Sequence, residues 1–105
     1  MTAARPWYHI SMSTLDTDTI RQRLADLDGW QHEGDHIARE WTFEDFRSAV
    51  DFINRVATLA DEAEHHPDLH NSYTSVRIQL TTHSEGGVTE RDLDLAAEID
   101  RVVGT

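Results

Sequence analysis

One long stretch of the sequence, residues 44–63, carries apolar side chains at the spacing of an α-helix. The apolar positions recur at i, i+3, i+4 and i+7, which indicates a helix with one face against a core; they are Phe46, Ala49, Val50, Ile53, Val56, Ala57 and Ala60. Because the residue before a proline avoids the helical conformation, Pro67 predicts that this helix ends by His66. The chain is therefore organised around an amphipathic helix that stops at two adjacent histidines, His65 and His66.

Shorter elements are predicted on both sides of this helix. In chain order they are a helix over 14–28, strands over 30–33 and 36–43, strands over 68–74 and 75–83, and a last helix that runs to about residue 103. Gly34 and Asp35 form a hairpin turn between the first two strands, and Thr89 with Asp92 fits a capping box at the start of the last helix. Alternation along the fourth strand places His83 on the polar side.

This order of elements, α-β-β-α-β-β-α, predicts the fold class. Strands joined by hairpins favour an antiparallel sheet, and helices then gather on one of its faces. We therefore predict an α+β fold, a four-stranded antiparallel sheet with three helices on one face, as a single domain over residues 13–105. Residues 1–12 show no periodicity and are predicted to be a flexible tail or an extended start. Because a chain of 105 residues is marginally stable alone, we expect a homodimer or a homotetramer.

The composition excludes several functions. The 20 acidic residues outnumber the 9 basic ones, and the resulting net charge of -11 disfavours direct binding to nucleic acid or to an anionic membrane. The sequence has no cysteine, which excludes disulfides and thiol catalysis. No apolar run approaches the roughly 20 residues that span a bilayer, and no signal-peptide core is present, so we predict a cytoplasmic location.

Histidines are the candidates for chemistry, because imidazole donates or accepts a proton near neutral pH. His65, His66 and His83 lie at the ends of two predicted elements. Zinc is the rival chemistry, since three histidines can hold a catalytic zinc ion. Adjacent histidines project in different directions, however, and the chain has no His-Glu-x-x-His motif, so we predict no metal.

The spacing around these histidines resembles the signature of the pterin-4a-carbinolamine dehydratase family. Asp61, three spacers and His-His-Pro form its first part, and Tyr73, His83 and Asp92 follow at the family's intervals. Flanking segments agree as well, namely Gly29-Trp30, Asp45-Phe46 and Gly87-Val88-Thr89. The resemblance covers about residues 14–103, nearly everything except the first 12 residues.

The resemblance implies an enzyme, a hydro-lyase that converts 4a-hydroxytetrahydropterin (4a-hydroxytetrahydrobiopterin) to quinonoid dihydropterin and water. This step recycles the pterin cofactor of aromatic amino acid hydroxylases, and such a hydroxylase is an expected partner. The pterin is the substrate, so no cofactor is expected. Histidine acid–base catalysis contributes a factor of about 10² to 10⁴ in such reactions. Proteins similar to this family also act as non-enzymatic dimerisation or assembly partners, and this alternative stays open.

The resemblance also implies roles for single residues. His66 is expected to face the 4a-hydroxyl group, while His65 and His83 supply the other proton transfer and hydrogen-bond the pterin. Asp61, one helical turn before His65, is expected to orient it. The expected substrate-binding positions are Glu64, Thr81, Thr82, Ser84 and Trp30. The expected supporting residues are Pro67, which fixes the loop, Tyr73, which packs, and Asp92, which caps the last helix.

Overall fold

A computed structural model of the chain describes residues 14–103. Its elements are α1 (Thr17–Leu24), β1 (Gln31–Glu33), β2 (His36–Thr42), α2 (Phe46–Ala63), β3 (Asp68–Ser72), β4 (Ser75–Leu80) and α3 (Glu90–Val102), with a short 3₁₀ turn, His83–Glu85, before α3. The strands form one antiparallel sheet in the order β1-β2-β4-β3, and the three helices lie on one face. The predicted fold class is confirmed. The predicted tail, residues 1–12, lies outside the described residues.

The core lies between the sheet and the helices. Strand β4 turns Val76, Ile78 and Leu80 to this side, and all three are fully buried. The helices cover them with buried side chains of α2 (Ala49, Phe52 and Val56) and of α3 (Leu93, Ala96 and Ile99). Burial of each large aliphatic or aromatic side chain contributes about 1.5–3 kcal/mol, so this layer provides most of the stabilisation.

A charged side chain, Arg39, also projects from β2 toward the core side. Its guanidinium carbon lies 4.9 Å from the centre of the Trp41 ring, and its Nη1 donates to Asp100 Oδ1 at 3.2 Å and to the Asp28 carbonyl oxygen. Asp100 also accepts a hydrogen bond of 3.0 Å from the indole nitrogen of Trp30. This polar cluster joins the end of α3 to the sheet.

Gly29 passes close to this cluster. Its φ of +88° lies in the left-handed region, and a Cβ built there would lie 2.7 Å from Arg39 Nε. The chain therefore needs glycine at this position for two reasons, its backbone conformation and the space that Arg39 occupies.

Three element boundaries differ from the predictions by more than two residues. Helix α1 begins at Thr17 instead of residue 14, because the Asp16 side chain caps it by accepting a hydrogen bond of 2.7 Å from the Thr19 amide. It ends at Leu24 instead of residue 28, because the following amide groups bond to carbonyl oxygens three residues back, Asp26 to Arg23 at 3.2 Å for example. Strand β4 ends at Leu80 instead of residue 83. His83 is exposed, as the alternation predicts, but the 3₁₀ turn places it there.

Alanine substitutions at two glycines separate backbone strain from the contact with Arg39. Gly34 also has a positive φ, +57°, but a Cβ there would meet nothing within 4 Å. We expect Gly34→Ala to lower the free energy of unfolding by about 1 kcal/mol and Gly29→Ala by about 2–4 kcal/mol, since only the latter displaces Arg39 from its partners. Urea unfolding measures both values, and equal losses would contradict the role assigned to Arg39.

The Asp100 carboxyl gives a pH-dependent prediction. Burial raises the pKa of Asp100, although the hydrogen bonds from Trp30 and Arg39 oppose the shift. Because the folded state keeps the proton to higher pH, the stability that Asp100 contributes is full below about pH 4 and is lost as the pH rises through the folded-state pKa. The difference in unfolding free energy between the native protein and Asp100→Asn should therefore fall from pH 4 to pH 7. Urea titrations at constant ionic strength test this, and a difference that rises with pH would refute it.

Candidate active site

The chain changes direction immediately after α2. Glu64 adopts a left-handed conformation, with φ of 52°, and caps the helix. His65 then turns into the protein and is 7% exposed, whereas His66 points to solvent. Arg91, in the first turn of α3, donates a hydrogen bond of 2.7 Å to the Glu64 carbonyl oxygen. The end of α2 is thus fixed against the start of α3.

His65 forms a buried pair with Asp92. His65 Nε2 lies 2.5 Å from Asp92 Oδ1, and the two side chains are 8% and 0% exposed. The other oxygen, Oδ2, accepts hydrogen bonds of 2.9 Å from the Thr89 amide and from the Thr82 hydroxyl group. The predicted capping box of Thr89 and Asp92 is present. Asp92 therefore caps α3 and holds His65 at the same time.

The two histidine-bearing segments meet at this carboxylate. His65 is bound to Oδ1 and Thr82 to Oδ2. His66 and His83 are the next residues along the chain, and neighbouring Cα atoms are about 3.8 Å apart. All three candidate histidines therefore belong to one region of the fold, with one buried and two exposed.

Asp61 does not contact His65, which corrects the predicted role of this residue. Its Oδ1 lies 2.9 Å from His66 Nε2, and the two side chains are 78% and 67% exposed. The left-handed Glu64 interrupts the helical repeat, so the i, i+4 relation between Asp61 and His65 is lost. An exposed pair of this kind contributes about 0–1 kcal/mol.

Four of the other predicted residues lie beside the histidines in the chain. Glu64 forms the exposed cap of α2, and Ser84 is exposed in the 3₁₀ turn. Thr81 donates a hydrogen bond of 2.5 Å to the Asp35 carbonyl oxygen, which fixes the end of β4 to the β1–β2 turn. Pro67 is partly buried between His66 and the start of β3.

Trp30 and Tyr73 are placed differently from the predictions. Trp30 is buried beside a cavity between α1 and β1, where its neighbours include Leu24 and His32, and its indole is bound to Asp100. Its described contacts do not join it to the histidines. Tyr73 lies in the β3–β4 turn with φ of 50° and is 72% exposed, so the prediction that it packs is wrong for the single chain.

A groove of about 590 Å³ between α2 and α3 adjoins the buried pair. Its lining residues are Leu59, Glu62, Ala63, His65, Arg91, Asp94, Leu95, Ala97, Glu98 and Arg101. His66 and His83 do not line it. Within residues 14–103, no group of three or more His, Cys, Asp or Glu side chains is arranged to hold a metal ion.

Sequence reasoning missed two features of this region. The first is Arg91, a residue inside the capping box whose partner is a backbone carbonyl 27 residues away. The second is the pairing of Asp92 with His65. The capping box predicted the contact of Asp92 with Thr89, which is three residues away. It could not predict the contact with His65, which is 27 residues away.

The site and the fold together define the class of protein. A buried His–Asp pair with two exposed histidines beside it is suited to acid–base chemistry. The sequence profile described as pterin 4 alpha carbinolamine dehydratase matches residues 13–102. The chain belongs to the pterin-4a-carbinolamine dehydratase family.

Relatives in distant organisms support the assignment. A protein of Thermomicrobium roseum is 48% identical over 88 residues, which cover 84% of this chain and 95% of the relative. One from Halobacterium salinarum is 46% identical over 86 residues, with 82% and 92% covered. Both are provisionally named pterin-4-alpha-carbinolamine dehydratases.

Solved structures share the fold. The crystal structure of a transcriptional coactivator/pterin dehydratase from Brucella melitensis has a TM-score of 0.84 and 36% identity, and covers 88% of this chain and 100% of the other. A pterin dehydratase-like protein, identified as a RuBisCO assembly factor in the alpha-carboxysome, has a TM-score of 0.59 and 23% identity, with 72% and 88% covered. The second likeness concerns the fold alone.

Proposed function

We propose that this protein dehydrates 4a-hydroxytetrahydropterin, such as 4a-hydroxytetrahydrobiopterin, to quinonoid dihydropterin. The bond between carbon 4a and the hydroxyl oxygen breaks, the neighbouring ring nitrogen loses its proton, and water leaves. Membership of the family supports the proposal. The observation that carries it is the Asp92 carboxylate, which anchors both histidine segments.

The exposed histidines are suited to the leaving group. His66 and His83 both face solvent, where a flat bicyclic substrate can approach them. In this proposal His66 protonates the departing hydroxyl group. Glu64, Thr81 and Ser84 lie beside these histidines in the chain and offer polar atoms for the edge of the pterin ring.

His66→Ala tests this proposal. We expect the enzyme-catalysed rate of dehydration to fall by a factor of about 10² to 10⁴, which is the usual contribution of a general acid or base. The fold should be unchanged, since the side chain is exposed. An absorbance assay of the purified protein with 4a-hydroxytetrahydropterin, corrected for the spontaneous rate, measures the effect. His32→Ala, which changes a histidine of β1 beside the other cavity, is the matched control.

Each result of that assay has a clear meaning. Turnover that survives His66→Ala would refute the assignment of chemistry to this residue. A native protein without turnover would favour the alternative, a non-enzymatic dimerisation or assembly partner. That alternative is supported by the structure from Brucella melitensis, which is named a transcriptional coactivator as well as a pterin dehydratase.

We further propose a homodimer that pairs through β3. Phe43 donates a hydrogen bond of 2.8 Å to the Thr74 carbonyl oxygen, so even-numbered residues of β4 bond to β2 and odd-numbered ones to β3. Within β3, the backbone N–H and C=O groups of Leu69 and Asn71 therefore point away from the sheet. A second copy of the chain is a partner that matches these groups.

The pairing has one favourable register. A twofold axis at His70 places Leu69 of each copy opposite Asn71 of the other, which satisfies both outward pairs with four hydrogen bonds. If the twofold axis were moved toward Pro67, Asn71 of one copy would lie opposite Pro67 of the other, which has no N–H group to donate. The opposite edge strand, β1, has three residues, and only His32 has its backbone N–H and C=O groups pointing away from the sheet. Pairing of two copies through β1 would therefore form half as many hydrogen bonds as pairing through β3.

Proline substitutions at the two edges test this interface. Proline is tolerated where an edge N–H faces solvent, so Leu69→Pro should fold but weaken dimerisation about 10-fold to 100-fold, through the loss of two intermolecular hydrogen bonds. His32→Pro removes an outward N–H from the other edge and should leave the dimer intact. Sedimentation equilibrium measures both constants. An unchanged dimer in Leu69→Pro would exclude pairing through β3.

A hydroxylase partner and the cytoplasmic location stay predictions from the sequence. Among the helices described here, none is long and apolar enough to span a membrane.

A further inference from the structure

We infer that Asp92 fixes His65 in the tautomer that carries its proton on Nε2, and that Nδ1 is the nitrogen that takes the proton during dehydration. The second half rests on the proposed function, whereas the tautomer does not. Asp92 is thus a positioning residue, and His65 is the base.

The hydrogen bonds around Oδ2 of Asp92 determine where the protons lie. The Thr89 amide can only donate to it, at 2.9 Å. The hydroxyl groups of Thr82 and Thr89 lie 2.7 Å apart, and the Arg91 amide donates to the Thr89 hydroxyl oxygen at 3.2 Å. Each of these hydrogen bonds needs one donor hydrogen. This condition is met when the Thr89 hydroxyl group donates to Thr82 and the Thr82 hydroxyl group donates to Asp92 Oδ2, at 2.9 Å. Two donors therefore converge on this oxygen.

The position of the hydrogen in the contact of Oδ1 with His65 follows from the same reasoning. Ionised carboxylates only accept hydrogen bonds, so the contact of 2.5 Å with His65 needs a proton on Nε2. Two donors already occupy Oδ2, and Asp92 is the third residue of α3, beside the amide groups of the helix N-terminus. With Nε2 engaged, Nδ1 is the nitrogen left for the reaction.

This arrangement divides the roles of the histidines. When Nδ1 takes a proton, the ring becomes positively charged beside a buried carboxylate, which stabilises it as the aspartate does in a Ser-His-Asp triad. His65 then removes the proton from the ring nitrogen of the pterin, and the exposed histidines are left to protonate the hydroxyl group. The pair formed by His66 and Asp61 joins the same two kinds of group but is open to water, since the two side chains are 67% and 78% exposed.

The test is nitrogen NMR of protein labelled with ¹⁵N-histidine, at pH 8. The His65 ring of the native protein should show a protonated Nε2 and a bare Nδ1. In Asp92→Asn, the amide oxygen keeps the two donors and the NH₂ group turns to His65, so the proton should move to Nδ1. The dehydration rate should fall by about 10² to 10⁴, the loss expected for a wrong tautomer. In Asp61→Asn, the tautomer of His65 should be unchanged.

The outcomes distinguish this inference from the proposed function. A native His65 with its proton on Nδ1, or with both nitrogens protonated, would overturn it, and this spectrum decides even if Asp92→Asn does not fold. An unchanged tautomer in folded Asp92→Asn would also overturn it. A tautomer that behaves as expected in a protein without turnover would support the positioning role and refute the dehydratase proposal.

Discussion

The buried carboxylate of Asp92 is the contact on which the rest of the structure depends. A buried ion is destabilising by several kcal/mol unless its hydrogen bonds are satisfied. Here three donors approach it, and they come from three places: the start of α3, the end of β4 and the turn after α2. The same contacts that satisfy this charge also join these elements. The end of the domain where Asp92 joins α2, α3 and β4 is therefore also the end that carries the candidate histidines.

The two kinds of histidine environment suit the two halves of a dehydration. A catalytic base must keep the same orientation from one turnover to the next, so it benefits from a fixed hydrogen-bond partner and from burial. His65 has both, since it is bound to Asp92 and the two side chains are 8% and 0% exposed. A group that must reach a leaving hydroxyl on a soluble substrate gains from access, and His66 and His83 are exposed. A domain of this size has one hydrophobic core that can hold a side chain in a fixed position. The buried histidine lies where α2, α3 and β4 meet at that core.

Local patterns predicted the elements, but not the contacts between them. The hairpin turns and the capping box are encoded within a few residues, and each is present. The predicted stripe along α2 is present in part, since Ala49, Val56 and Ala60 are buried. Phe46 is 51% exposed, however, and Phe52, which lies outside the predicted stripe, is fully buried. The partner of His65 depends on the left-handed conformation of Glu64, which no glycine marks in the sequence. Arg39 lies on the core side of β2, and its partner Asp100 is 61 residues away in the chain. Tyr73 was expected to pack, but the tight β3–β4 turn places its side chain 72% exposed.

The buried pair also bears on the choice between an enzyme and an assembly partner. A protein that acts only through its surface needs the sheet, the helices and a cap for α3. Thr89 and an uncharged residue at position 92 would supply that cap, and an apolar side chain in place of His65 would fill the space without burying a charge. Replacing buried ion pairs by apolar groups is often neutral or stabilising by about 1–4 kcal/mol. Stability alone therefore gives no reason for the buried pair of His65 and Asp92, whereas proton transfer does, and this asymmetry favours the enzyme.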